Sequence, residues 1–85
     1  MTLQDAAFYT DLVGQVVRRR EQLGLSQREL AELCGTTQSA IARFESARRP
    51  PKVDTLLGIA EALDCVLDVT FRPRTRPRHD PEDPS

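Results

Sequence analysis

Eighty-five residues make one domain with a small core, so a partner subunit would be a natural source of extra buried surface. No apolar run approaches the roughly 18 residues of a membrane span, and a start interrupted by Asp5 and Asp11, with no basic residue before it, does not read as a signal peptide; a cytoplasmic location and no membrane partner are expected. The formal net charge of −1 hides an asymmetry: residues 18–52 carry eight bases against four acids, whereas residues 1–17 and 53–71 carry acids only, so one segment holds the positive surface that a nucleic acid would require.

The first predicted helix runs from about Asp5 to Leu23, with Leu12, Val16, Val17 and Leu23 recurring at helical spacing, and Gly24 ends it in the left-handed conformation. The second opens on a capping box, Ser26 as N-cap with Glu29 three residues on. Leu25 and Leu30 take the positions of a hydrophobic staple, and the helix reaches about Cys34. Gly35 makes a tight turn, and Thr37 caps a third helix over about Gln38 to Ser46. Pro50 and Pro51 forbid its continuation. A fourth helix spans about Val53 to Leu63, with Leu56, Leu57, Ala60 and Leu63 inward.

The period then changes. In residues 66–71, Leu67, Val69 and Phe71 alternate with Asp68 and Thr70, which predicts a short β-strand. A lone strand leaves ladder groups unpaired, so its economical partner is the same strand of a second copy, antiparallel about a two-fold axis; Leu67, Val69 and Phe71 are the expected dimerisation residues. Residues 72–85 contain four arginines, four prolines and no aliphatic side chain, and read as a disordered tail beyond a domain spanning 1–71.

Residues 26–46 carry the chemistry. Two short helices joined by a glycine turn cross steeply, and the second then projects into a major groove. Ala31 permits the close approach, Gly35 the turn, and Ile41 and Phe44 the inward face. Residues 38, 39, 42, 43 and 46 share the opposite face. There Gln38 matches adenine and Arg43 guanine through paired hydrogen bonds, and Ser39 donates or accepts; these three are the expected base contacts. Gln27, Arg28, Thr36, Thr37, Arg48 and Lys52 are placed to hold phosphates, which position rather than specify.

The run from Leu25 to Glu45 resembles the helix-turn-helix of lambdoid phage repressors, the Cro/cI or XRE family, and the likeness covers roughly residues 12–63. It implies an all-α, four-helix lambda-repressor-like domain, sequence-specific DNA binding and transcriptional repression. It also implies a phosphate contact for Gln27, base contacts for Gln38, Ser39 and Arg43, and a structural ion pair between Arg20 and Glu45. The C-terminal strand departs from the phage pattern and resembles HigA- and HipB-type antitoxins, which implies a homodimer on a palindromic operator, a nucleoid-associated location and a cognate toxin as a second partner. Two alternatives stay open: a stand-alone phage-type or housekeeping regulator, and a protein-interaction module that uses the same helices without DNA. Neither an enzyme nor a cofactor is expected. The only histidine, His79, lies in the tail, no nucleophile–base pair or glycine-rich phosphate loop is visible, and Cys34 and Cys65 alone make no zinc site.

Overall fold

The computed structural model describes residues 3–74, with side chains from Ala6 onward. It holds four helices, α1 (Leu3–Gln22), α2 (Gln27–Cys34), α3 (Gln38–Glu45) and α4 (Val53–Ala62), each within two residues of the span expected from the sequence. The local chemistry explains the boundaries. After α1, Gly24 at φ 72 lets its own N–H reach Glu21 O at 3.0 Å and the Leu25 N–H reach Arg20 O at 3.0 Å, satisfying carbonyls that the helix end leaves free. Both halves of the capping box on α2 form. Glu29 N donates to Ser26 Oγ at 3.0 Å, and Ser26 N donates to Glu29 Oε1 at 2.8 Å.

The core is one cluster of Leu30, Ala31, Ile41, Ile59 and Leu63, with Val16, Leu25, Cys34, Phe44 and Ala62 packed around it. Each large aliphatic member contributes about 1.5–3 kcal/mol by leaving water. α2 packs on α3 and α4, and α1 on α3. Charged hydrogen bonding adds a tie between α1 and the end of α4, where Arg19 Nε donates to Leu63 O at 3.1 Å.

Two expected faces hold in part. On α1 the fully buried residue is Val13, while Leu12, Val16 and Val17 are half-buried and Leu23 is exposed. Leu23 lies in the turn beyond the last helical residue, where the 3.6-residue period no longer sets its direction. On α4 the inward line runs through Leu56, Ile59 and Leu63, and Leu57 is 52% exposed. A line drawn through Ile59 differs by one residue, about 100°, from one drawn through Ala60.

No strand occurs among the described residues; residues 65–74 lie outside any helix or strand. The reason is physical: ladder hydrogen bonds need a second edge, and the described residues hold no other strand to supply one. Val66, Val69 and Phe71 are exposed at 92%, 68% and 97%, and half-buried Leu67 lines an apolar groove of about 270 Å³ with Leu12, Val16, Leu56 and Ala60. The proposed disorder of the tail falls largely on residues 75–85, outside the described residues. Both cysteines are free thiols. Cys34 is half-buried, which pushes its thiol pKa up by desolvation, whereas Cys65 is exposed. Among the described residues no three His, Cys, Asp or Glu side chains cluster as metal ligands, and no helix is long and apolar enough to cross a membrane.

Candidate nucleic-acid interface

α2 and α3 cross closely because the residue at their contact is small. Ala31 is 2% exposed, one turn before Gly35. Gly35, at φ 69, turns the chain: its N–H meets Glu32 O at 3.2 Å and the Thr36 N–H meets Ala31 O at 2.9 Å. Thr37 then starts α3, its hydroxyl accepting from Ala40 N at 3.1 Å, a cap whose loss costs about 1 kcal/mol. That contact leaves Thr37 one role already filled, so a phosphate would have to share its hydroxyl.

The orientation of α3 follows from burial. Ile41 is buried and Phe44 half-buried against the core, while Gln38, Ser39, Ala42, Arg43 and Ser46 are exposed along the other side. Among the described residues no carboxylate pairs with Arg43. Its guanidinium is therefore available for a guanine edge or a phosphate. The three candidate base-contacting residues, Gln38, Ser39 and Arg43, lie on this exposed face.

The candidate phosphate-holding residues divide. Thr36, Arg48 and Lys52 line one groove of about 870 Å³ beside α3, together with Arg43 and Arg49. Asp54 lines it as well, so the groove carries four basic side chains against one acidic one, a net positive surface next to α3. Arg28 is exposed on α2 but is not among the residues lining that groove. Gln27 is half-buried and held by other side chains.

Those side chains form a chain of hydrogen bonds across three helices. Arg20 Nε donates to Glu45 Oε2 at 2.8 Å and Arg20 Nη2 to Glu45 Oε1 at 3.2 Å, a forked pair whose side chains are 12% and 8% exposed. Arg20 Nη1 also donates to Leu25 O at 2.8 Å, tying the α1–α2 turn into the same cluster. The Glu45 hydrogen bond holds the Arg20 pKa above its ordinary value. Gln27 Nε2 donates to Glu45 Oε1 at 2.8 Å, and Gln38 Nε2 donates to Gln27 Oε1 at 3.3 Å. The structure thus brings Arg20, Gln27, Gln38 and Glu45 together as one network. Gln27 and Glu45 stand eighteen residues apart, with no local spacing rule to link them. Only the steep crossing of α2 and α3 closes that gap.

The fold, the crossing and the exposed helix face agree with the comparison to known proteins, in which the family described as helix-turn-helix matches residues 17–69. The chain belongs to the helix-turn-helix family. Proteins that it resembles are named as transcriptional regulators, an antitoxin and a repressor. An uncharacterised HTH-type transcriptional regulator of Haemophilus influenzae is 36% identical over 58 residues, covering 68% of this chain and 59% of that protein. Antitoxin HigA1 of Mycobacterium tuberculosis is 38% identical over 66 residues, 78% of this chain and 44% of the antitoxin. Repressor protein C2 of Salmonella phage P22 is 33% identical over 64 residues, 74% of this chain and 30% of the repressor. The match thus spans less than two thirds of these relatives' lengths. What the chain shares with them is the helix-turn-helix domain itself.

Proposed function

We propose that the chain is a homodimeric repressor that binds a palindromic operator, and that it acts as the autoregulating antitoxin of a toxin–antitoxin operon in the cytoplasm, on the nucleoid. The observation that carries the DNA reading is the exposed side of α3. Gln38, Ser39 and Arg43 stand there side by side, polar, with Arg43 free of any carboxylate among the described residues. A module that recognised protein would favour apolar side chains at those positions. Gln38, Ser39 and Arg43 read bases, while Thr36, Arg48 and Lys52 hold the backbone from the adjoining groove, assisted by Arg28, Thr37 and Gln27.

Dimerisation places two copies of α3 on one side of the duplex. The exposed Val66, Val69 and Phe71, next to the apolar groove that Leu67 lines, offer surface that one chain does not cover. Pairing of residues 66–71 between two copies would satisfy the backbone and the apolar side chains together.

The phosphate contacts have a specific signature. Arg48→Ala and Lys52→Ala are each expected to weaken selected and unrelated duplexes alike, and to reduce the slope of log affinity against log salt by about 0.9. Titrations at several salt concentrations measure it; a change confined to the selected duplex would make either residue a base reader instead.

The antitoxin identity is supported by the likeness to antitoxin HigA1, while the likeness to phage repressor C2 favours a stand-alone regulator. Co-expression with the product of the adjacent gene separates them. An antitoxin is expected to co-purify with that product and relieve its growth arrest, and to do so even when Gln38→Ala and Arg43→Ala abolish operator binding. A neighbour that neither binds nor slows growth when expressed alone leaves the stand-alone regulator.

A further inference from the structure

Glu45 sits at the centre of the network joining α1, α2 and α3, although it belongs to neither the exposed side of α3 nor the basic groove. As an ion-paired carboxylate it only accepts hydrogen bonds. Any amide beside it must therefore turn its NH₂ inward, as Gln27 does at 2.8 Å. The carbonyl oxygen of Gln27 then faces Gln38, which in turn must present its own NH₂, at 3.3 Å. One N–H and the whole carbonyl oxygen of Gln38 are left directed away from the network. One donor beside one acceptor is the complement of the major-groove edge of adenine, whose N7 accepts and whose N6 amino group donates.

We propose that Glu45 is a positioning residue for base reading, its carboxylate fixing through Gln27 which way round Gln38 shows its amide, and so selecting adenine. The inference rests on the preceding reading that α3 reads bases. It makes a directional statement about Glu45→Gln. Arg20 has donors only, and its Nε contact to Oε2 at 2.8 Å is shorter than its Nη2 contact to Oε1 at 3.2 Å; the carbonyl oxygen of the new amide is therefore expected at the Oε2 position, its NH₂ giving up the longer contact and facing Gln27. Each amide down the line would then reverse. Gln38 would engage the network through its oxygen and offer two N–H donors outward, matching the paired acceptors N7 and O6 of guanine.

The test uses the full 85-residue chain and a duplex selected by the wild-type protein from a random-sequence pool. The position read by residue 38 is the one at which Gln38→Ala flattens the base preference. With each of the four bases placed there, the wild-type chain is expected to favour adenine over guanine by about tenfold or more, and Glu45→Gln to remove or invert that ratio. A role confined to holding the fold would lower affinity for all four duplexes and leave the ratio alone. Gln27→Met keeps the Arg20–Glu45 pair and cuts the line at its middle; it is expected to bring the ratio to within about threefold of one, and it decides alone if Glu45→Gln does not fold. Helical variants that keep the wild-type ratio overturn the proposal. A wild-type chain that selects no duplex at all overturns the base-reading assignment, and the positioning role with it.

Discussion

Replacement of Val69 by proline is expected to convert the proposed dimer to a monomer and to lower operator affinity by about a hundredfold or more, with every DNA-facing residue intact. The sequence of causes is short. Proline removes one ladder donor and one packing side chain from residues 66–71, a segment whose apolar groups are otherwise exposed to water. Without the pairing, two α3 helices are no longer held about 34 Å apart, one turn of the duplex, and each half-site is bound singly. Sedimentation gives the mass and a titration the affinity. If the variant remains dimeric and binds as the wild type does, the interface lies on α1 or α4, where the apolar groove between Leu12 and Leu56 is the next candidate.

Arg20→Ala is expected to be the most costly of the single substitutions for the fold. It strands the Glu45 carboxylate, 8% exposed, with Gln27 as its remaining side-chain donor, and frees the Leu25 carbonyl. Breaking such a pair from one side costs about 2–4 kcal/mol, allowing for the solvent that still reaches the guanidinium. For a domain whose whole stability is on the order of 5–15 kcal/mol, that is a large share. Chemical denaturation followed by far-UV circular dichroism measures it. A loss below about 1 kcal/mol would place the pair among ordinary surface ion pairs.

The parts of this molecule that local rules govern could be read from the sequence. Ser26 with Glu29, Gly24, Gly35 and Thr37 each mark a helix end through their own backbone chemistry, and four helices stand accordingly. The outward side of α3 was equally legible, because Ile41 and Phe44 fix the inward one. What the sequence did not carry was long-range. The hydrogen bonds of Gln27 to Glu45 and of Arg19 to Leu63 depend on how helices cross, not on spacing along either. The choice between Leu57 and Ile59 as the inward residue of α4 turned on a rotation that an apolar-rich helix does not encode. Ala47 and Asp64 take left-handed conformations at φ 58 and 56 without the glycine that signals such a turn. The strand expected at residues 66–71 is absent among the described residues, where no second strand offers an edge for its ladder hydrogen bonds.

Base reading by α3 is the centre of the account, and Arg43→Ala tests it most directly, titrated against the selected duplex and an unrelated one at the same salt. Loss of the paired hydrogen bonds to guanine is expected to cost about 1–3 kcal/mol on the selected duplex and to leave the unrelated one nearly unaffected. Equal losses on both duplexes would mean that Arg43 holds only phosphate, and would contradict the assignment of this helix as the reader of sequence.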